Sequence, residues 1–414
     1  MPNLRPPNRR ISPIRAFLVT VLCCLLILSA GIWVGARHVE SLPGPIADVF
    51  AGDDPSRVVN EALGKIEGRY YRDVSGAELA DDAIGGAVDQ LNDRFSSYFT
   101  PKEYERFQEA TDSRFTGIGV TVSQHARGLR IEQVFDGSPA KRAGIVRGDL
   151  ITKVGSRSLK GLTSERASTL IRGPQGTDVT VTIEHAGKPK QLTLTRSAVS
   201  IPVVASTLRE DCGKKIGVVA LQQFSSGAHG EVYAALKKLE KRGAQAYVLD
   251  LRGNGGGLVD EAQLVASAFL RDGPIVTTRG RSVPARTLKA TGDPVIPKAP
   301  LVVMVDRATA SASEIVAGAL QDRGRAQLVG SRTFGKGVFQ EIIELSNGGA
   351  LDITAGQYFT PKGRNLGGRG VQTGAGLEPD VAARDDPKTA ADDALRTGLD
   401  AAARKAGCRR GATT

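Results

Sequence analysis

Serine, lysine and glycine residues in three short segments of this chain have the types and spacing that nucleophilic chemistry needs. The segments are DLRGNGGG at Asp250–Gly257, TASASE at Thr309–Glu314 and TFGKGVFQ at Thr333–Gln340. Each is a Gly- or Ser-rich turn that follows an apolar run typical of a buried strand. In α/β folds, ligands bind in the crevice at the carboxyl ends of such strands. The three turns are therefore the candidate site.

The two serines of TASASE allow different interpretations. Ser313, followed by Glu314, can cap the helix that begins there and satisfy its free N–H groups. This leaves Ser311 one step ahead of the helix with its oxygen exposed. The next backbone N–H, that of Ala312, would point to the place where an oxyanion forms, aided by the helix dipole. The stretch alone leaves both a capped helix and a nucleophile open.

A serine nucleophile needs a base, and Lys336 is a better candidate than any histidine. None of the histidines lies in a Gly-flanked turn after a core strand, so a Ser-His-Asp triad is poorly supported. They are His38, His125, His185 and His229. Lys336 lies between glycines and apolar side chains, where desolvation lowers the pKa of an ammonium toward proton-accepting values. Gln340 can orient the amine if the segment turns back as a strand or helix.

Two glycine segments could instead bind phosphate, but neither has the required spacing. GKG lacks the P-loop pattern and the hydroxyl after its lysine, and RGNGGG lacks the Gly-x-Gly-x-x-Gly pattern. The glycines of RGNGGG can present a backbone N–H free of side-chain obstruction. Such a group would serve as a second oxyanion donor beside Ala312.

Length and charge bound the class of protein. The chain has 414 residues, 41% of them hydrophobic, which is enough for two or three domains. The formal net charge is +11, but the basic excess lies in the two ends of the chain and is not interleaved with aromatics. We therefore expect no nucleic-acid partner. No Cys and His cluster has metal-ligand spacing, so we predict no metal and no cofactor.

The segment at residues 16–36 is uncharged and would rise roughly 31 Å as a helix, the thickness of a bilayer core. Arginines precede it, so the positive-inside bias places the remainder of the chain outside the cytoplasm. We predict a single-pass signal anchor in the cell membrane. The alternative is a signal peptide cleaved after Ala36 and a secreted protein. Outside the cytoplasm Cys212 and Cys408 could pair, and free thiols are equally compatible with the sequence.

The hydrophobic pattern changes twice along the chain. Apolar residues at helical spacing predict two or three amphipathic helices up to about residue 110, for packing and tethering. Short alternating strands with glycine turns then predict a mostly-β module up to about residue 199. From about residue 214, buried strands alternate with helices and predict a mainly parallel sheet covered on both sides. The last thirty or so residues indicate an exposed helix or a frayed tail.

Taken together, these segments resemble the carboxyl-terminal processing proteases, also called tail-specific proteases. The three turns, the later GQYFTPKGRNLGGRGVQ and LEPDV occur in the order of that family, and the resemblance covers most of the chain. It implies Ser311 as nucleophile, Lys336 as general base and Gln340 as the residue that orients the lysine. The oxyanion donors that it implies are Ala312 and a glycine of the GGG run, Gly257 with Gly256 as the competitor.

The same resemblance extends to a PDZ domain. RFTGIGVTV resembles its start and SPAKRAGIVRGDLITKVG its middle. In PDZ domains a Gly-rich loop before an edge strand binds a peptide's terminal carboxylate, and the peptide adds as a strand. Gly117, Ile118, Gly119 and Val120 occupy that place. Arg172, in a nearby loop, could contact the peptide or the protease part, or could be a surface charge.

The interpretation is a multidomain α/β protein with a mostly-β PDZ domain and a crotonase/ClpP-like protease domain. The predicted parts are a basic cytoplasmic tail (1–15), the membrane anchor (16–36), a linker with helices (37–112), the PDZ domain (113–199), the protease domain (200–385) and a C-terminal tail (386–414). The predicted function is a serine endopeptidase that binds exposed protein C-termini through its PDZ domain and processes extracytoplasmic proteins. A homo-oligomer is compatible with it. The alternatives are a non-catalytic PDZ adaptor at the membrane and an acyl transferase or thioesterase.

Overall fold

The structure is a computed structural model that describes residues 55–112, 114–368, 375–386 and 390–409. The predicted basic tail and membrane anchor, residues 1–36, lie outside this range. In the part that is described, no helix is long and apolar enough to cross a membrane. The described residues fall into two compact units, with the division between residues 84 and 85.

The helical pattern before residue 112 forms three helices. They are α1 (Pro55–Arg69), α2 (Gly76–Asp89) and α3 (Pro101–Thr111), and the short strand β1 (Ser97–Phe99) precedes α3. Helix α3 begins where it does because Pro101 suits the first turn. In addition, the Glu103 carboxylate accepts the N–H of Thr100 at 3.0 Å. β1 is not part of a local hairpin: it pairs with a strand at Ala350–Phe359.

The mostly-β module consists of short strands joined by glycine turns. Its elements are β2 (Arg114–Gly117), β3 (Val120–His125), β4 (Gly128–Val134), α4 (Pro139–Arg142), β5 (Leu150–Val154), β6 (Arg157–Ser158), α5 (Ser164–Ile171), β7 (Asp178–His185), β8 (Lys188–Thr195) and β9 (Ser197–Ser200). The sheet order is β3-β4-β5-β7-β8, with β6 on β5, and β2 pairs with β9. Alternate residues of β7, Val179, Val181 and Ile183, are buried against α5 and the other strands, as the period-2 pattern predicts.

The α/β part begins with a hairpin and continues with buried parallel strands. Its elements are β10 (Val204–Asp211), β11 (Lys214–Leu221), α6 (Ala228–Lys241), β12 (Ala246–Asp250), α7 (Val259–Ser267), β13 (Pro274–Gly280), β14 (Arg286–Lys289), β15 (Leu301–Val305), α8 (Ala312–Asp322), β16 (Gln327–Gly330), β17 (Val338–Glu344), β18 (Ala350–Phe359), β19 (Val381–Ala382) and α9 (Asp393–Lys405). The main sheet has the order β10-β11-β12-β15-β16-β19, parallel from β11 onward.

Helices cover both faces of this sheet, which explains why its strands are continuously apolar. One hydrophobic cluster joins one face to α6, α7 and α8, and a second joins the other face to α9. Helix α9 contributes Ala394, Ala402 and Ala403 to the second cluster, all of them buried. The prediction that the C-terminal residues form an exposed helix or a frayed tail is therefore wrong for α9.

A disulfide between Cys212 and Cys408 joins the β10–β11 turn to the residues after α9. It closes a loop of 196 positions along the chain. Of the two states that the sequence allowed for these thiols, the structure contains the paired one.

A second sheet is antiparallel and has the strand order β1-β18-β13-β14, with β17 also paired with β18. The β17–β18 register places Gln340 opposite Thr354, and the β1–β18 register places Ser97 opposite Asp352. Strand β18 thus carries contacts from both the lead-in segment and the lysine-bearing segment.

Candidate active site

Ser311 lies in a sharp turn between the buried strand β15 and helix α8. Its backbone has φ 56° and ψ −119°, a conformation that side-chain-bearing residues rarely adopt. The residues on either side, Ala310 and Ala312, are both buried, and their small side chains leave room for the turn. Ser311 is half-buried at the tip of this turn, and a strained strand-to-helix turn with a serine at its tip resembles a nucleophile elbow.

The helix cap differs from the prediction. Ser311, not Ser313, is the residue that precedes α8, and the Glu314 carboxylate accepts the N–H of Ser311 at 3.0 Å. Ser313 is fully buried inside the first turn, where its hydroxyl donates to the carbonyl of Asn254 at 2.9 Å. The prediction that Ser313 caps the helix is therefore wrong: it connects the helix to the glycine turn.

Asn254 holds the glycine turn against the serine turn, and the sequence analysis did not single it out. Its side chain is buried, donates to the carbonyl of Leu221 at 2.8 Å and accepts the N–H of Gly256 at 2.9 Å. Its carbonyl accepts the N–H of Ala310 at 3.1 Å. The local signal for this role is the position of Asn254 among glycines. Glycines allow other backbone segments to approach the turn closely, so the side-chain contacts within this run are made by Asn254.

Gly256 has to be a glycine at this place. Its φ is +107°, and a Cβ there would come within 2.8 Å of both the Ala310 carbonyl and Ser311 Cβ. The N–H of Gly256 already donates to Asn254, so it is not free for an oxyanion. Among the described residues, the N–H groups of Gly257 and Ala312 have no hydrogen-bond partner. Of the two glycines predicted as donors, Gly257 is thus the better placed.

Glu314 joins the serine turn to the lysine loop. Its buried carboxylate accepts the N–H groups of Ser311 and Lys336 on the same oxygen, at 3.0 and 2.9 Å. The other oxygen accepts the Thr333 hydroxyl at 2.5 Å and the N–H of Gly335 at 2.8 Å. Burial raises the pKa of Glu314, and these four hydrogen bonds oppose that rise. Only a capping role is predicted for Glu314 from its sequence context.

Lys336 and Gln340 are in direct contact. Lys336 Nζ lies 2.6 Å from Gln340 Oε1, because β17 begins just after the lysine and turns back along β18. Burial lowers the pKa of Lys336, against the charges of Asp352, Asp93 and Glu314, which raise it. The net direction is the one expected for an amine framed by glycines and apolar side chains.

Two further residues near this centre were not predicted. The ring of Phe95 lies 4.9 Å from Lys336 Nζ. Tyr358 is fully buried close to Ser311 and Glu314. Burial and the charge of Glu314 raise the pKa of Tyr358 well above its usual range.

An ion-pair network anchors the glycine turn from the opposite side. Arg252 contacts both oxygens of Asp250 and both oxygens of Asp392, the residue that caps α9. Burial opposes protonation here, but the two carboxylates prevail and raise the pKa of Arg252. The turn is thereby tied to the C-terminal helix.

The predicted peptide-binding residues form a separate site in the β module. A cavity of about 320 Å³ is lined by Gly117, Ile118, Gly119 and Val120, with Arg172 at its side. Within the described residues, the N–H groups of Ile118 and Gly119 have no hydrogen-bond partner. Free N–H groups beside an edge strand suit a terminal carboxylate.

The structure therefore brings Ser311, Ala312, the GGG run, Lys336 and Gln340 into one site, and it places residues 117–120 in another. His229, by contrast, contacts Glu261 at 2.8 Å. Over the described ranges, no group of three or more His, Cys, Asp or Glu side chains could hold a metal ion.

Two family models match the chain, one in each of the two regions that carry these sites. Residues 215–383 match the family model described as Peptidase family S41, and residues 116–195 match that of the PDZ domain. The carboxy-terminal-processing protease of Bartonella bacilliformis is 35% identical over 77% of this chain and 72% of its own length. A probable CtpA-like serine protease of Staphylococcus saprophyticus is 34% identical over 77% of this chain and 64% of its own length.

Among solved structures, the photosystem II D1 C-terminal processing protease is 31% identical, with a TM-score of 0.46 over 82% of this chain and 89% of that one. The sequence matches define the class: a PDZ domain joined to an S41-type peptidase domain of mixed α and β structure. The chain belongs to the carboxy-terminal processing proteases of peptidase family S41.

Proposed function

We propose that the protein is a serine endopeptidase that uses Ser311 and Lys336 as a catalytic dyad. The observation that carries this proposal is the Glu314 carboxylate, which accepts the N–H groups of Ser311 and Lys336 on one oxygen. The turn that carries Ser311 and the loop that carries Lys336 are hydrogen-bonded to the same Glu314 oxygen, which holds them at a constant separation. Preorganisation of this kind is what a proton transfer between two side chains needs.

The chemistry follows from the groups present. Neutral Lys336 takes the proton from Ser311 Oγ as that oxygen attacks the scissile carbonyl carbon, and the carbonyl becomes an oxyanion. The N–H groups of Ala312 and Gly257 donate to it. The intermediate collapses as Lys336 returns the proton to the leaving amine, and water then hydrolyses the acyl-enzyme by the same proton path. Gln340 orients the amine through its carbonyl oxygen.

We further propose that substrates are proteins with exposed C-termini, bound by the loop at residues 117–120. Its free N–H groups and its apolar cavity suit a carboxylate with an apolar last side chain. The apolar segment at residues 16–36 supports an anchor with the domains outside the cytoplasm. The Cys212–Cys408 disulfide supports the same placement, since such bonds persist in oxidising compartments.

The test compares wild type with Ser311→Ala and Lys336→Ala on an unfolded reporter protein that ends in an apolar residue. We expect each variant to lower kcat/KM by about 10³-fold or more, since catalytic groups acting as a unit are lost together. The exposed Ser282→Ala and Lys298→Ala serve as matched controls and should cleave as wild type does. Equal cleavage by all five proteins would overturn the dyad.

A second arm of the same experiment uses the reporter with an amidated C-terminus. Loss of the carboxylate should raise KM and leave the cleavage position unchanged, because only the PDZ contact is weakened. Binding of the reporter without cleavage by wild type would favour a non-catalytic adaptor. An unchanged KM for the amide would contradict recognition of the C-terminus.

A further inference from the structure

A chain of hydrogen bonds leads from Lys336 to the lead-in segment. Gln340 Oε1 accepts from Lys336 Nζ, and Gln340 Nε2 donates to Thr354 Oγ1 at 3.1 Å. The backbone N–H of Thr354 donates to Ser96 Oγ at 3.0 Å, and Ser96 Oγ donates to Asp93 Oδ2 at 2.6 Å. The chain thus ends on a carboxylate of the lead-in segment.

An ionised carboxylate can only accept hydrogen bonds. The hydroxyl groups next to Asp93 therefore donate to it, and this fixes which atoms donate and which accept in the remainder of the chain. Asp93 takes the hydroxyl hydrogen of Ser96 and interacts with that of Thr354. The oxygen of Thr354 is then left to accept from the amide nitrogen of Gln340. That nitrogen faces away from Lys336, and the carbonyl oxygen faces toward it. A neutral amine that donates to this oxygen keeps its lone pair available for the Ser311 proton.

The lead-in segment at Asp93–Phe99 reaches this place through β1. Ser96 and Thr354 are separated by 258 positions and meet because β1 pairs antiparallel with β18. The same segment places the Phe95 ring 4.9 Å from Lys336 Nζ, and Arg94 lies over the rings of Phe95 and Phe334. The helical pattern before residue 110 predicts only packing and tethering, whereas residues 93–99 supply part of the surroundings of Lys336.

The charged groups that act on Lys336 come from three elements: Asp352 of β18, Asp93 of the lead-in segment and Glu314 of α8. Burial raises the pKa of Asp93, but hydrogen bonds from Ser96, Thr354 and the N–H of Phe95 outweigh it and keep the pKa low. Burial raises the pKa of Asp352, with Lys336 opposing the rise and Asp93 adding to it. Asp93 is thus the carboxylate that stays ionised most readily.

We propose that Asp93, acting through Ser96 and Thr354, is a positioning residue that orients the Gln340 carboxamide, so that docking of residues 93–99 on β18 is required for Lys336 to act as base. This inference rests on the proposed dyad. It predicts that the lead-in segment, which precedes the PDZ domain in the chain, controls the chemical step and not substrate binding.

The experiment measures kcat and KM as functions of pH for Thr354→Val, Thr354→Ser and Asp93→Asn in the full chain. Thr354→Val removes the acceptor of Gln340 and should lower the plateau kcat by about 10- to 100-fold, as expected when a buried amide loses its hydrogen-bond partner, with KM unchanged. Thr354→Ser keeps the hydroxyl and should therefore have the plateau kcat of wild type. Asp93→Asn should lower the plateau as well, and it should move the acid limb to lower pH because a negative charge near the lysine is lost.

Thr277→Val is the matched control, because Thr277 lies in the same antiparallel sheet and its hydroxyl pairs with Thr287 at 3.0 Å. It should leave kcat and the pH profile as in wild type. Thermal unfolding of each variant separates loss of the fold from loss of orientation. Should Thr354→Val and Asp93→Asn both keep the wild-type plateau while Ser311→Ala is inactive, the positioning role is overturned and the dyad stands. The positioning role would also be overturned if Thr354→Val were inactive and Thr354→Ser were equally inactive.

Discussion

At the scale of single residues, Lys336 combines two opposed environments. Burial lowers its pKa, and three carboxylates raise it, yet burial prevails. The glycines on either side leave the ammonium without local polar groups, whereas Gln340 gives it one short contact at 2.6 Å. Gln340 is thus a neutral hydrogen-bond partner, and it can hold the Lys336 amine in place whether that amine is charged or neutral.

The pH dependence of acylation follows from this. In the proposed dyad the reactive form of Lys336 is the neutral amine, so the rate of inactivation by a serine-directed phosphonate should fall as the pH drops through the pKa of folded Lys336. The midpoint should lie below the ordinary lysine value of 10.5. A rate that is flat with pH, or a midpoint above that value, would contradict the role of burial.

The same shift has a consequence for stability. Between the lowered pKa of folded Lys336 and the ordinary value, the unfolded chain binds more protons than the folded chain, so stability contributed by this residue rises with pH in that window. Below the folded pKa the cost of burying the ammonium is present in full. Ser311 adds a second cost, since residues held at such φ and ψ cost about 1–3 kcal/mol each.

At the scale of elements, the glycine turn and the start of α8 depend on close backbone contact. Gly256→Ala would place a Cβ 2.8 Å from Ser311 Cβ and 3.0 Å from the N of Ala312, at a φ of +107°. Because the added Cβ would displace Ser311 and the N–H of Ala312, we expect kcat/KM to fall by about 10²- to 10³-fold, as it does when one oxyanion donor is removed. Steady-state kinetics on the reporter protein measure it.

Gly255→Ala is the matched control for that variant, because a Cβ on Gly255 would have nothing within 4 Å and no positive φ is required there. It should cleave at close to the wild-type rate. Similar losses in both variants would show that the turn as a whole, and not the contact of Gly256, sets activity.

At the scale of the whole molecule, the C-terminal helix belongs to the catalytic domain. Helix α9 buries three alanines on the sheet, its cap Asp392 binds Arg252, and the disulfide holds the residues that follow it. Because Arg252 also binds Asp250, the helix and the glycine turn share one ion-pair network. Loss of the helix would release that turn from one side.

Removal of the disulfide tests this connection. The double variant Cys212→Ser and Cys408→Ser should be less stable by about 2–5 kcal/mol, the usual cost of losing a native disulfide. A reductant should lower the Tm of wild type but not that of the double variant. Cys23→Ser with Cys24→Ser is the control, and its response to reductant should equal that of wild type. A wild-type Tm that reductant does not change would contradict the structural role of the bond.

Much of the site could be predicted from local sequence because its groups are framed by local signals. Glycines on both sides of Lys336, small residues around Ser311 and the GGG run each show that the backbone must turn sharply or be approached closely. The alternation of buried strands and helices likewise predicted a covered parallel sheet. Resemblance to a family then supplied roles for residues whose local signals were compatible with several functions.

Contacts between distant segments were decided only by the tertiary structure. The double use of Glu314, the contact of Ser96 with Thr354 across 258 positions and the pairing of Cys212 with Cys408 across 196 all depend on which elements become neighbours. No local pattern encodes them, because side-chain types at one place do not specify their partner elsewhere. The sequence by itself determined which residues could do the chemistry, and the packing of β1, α8, α9 and β18 decided what holds them.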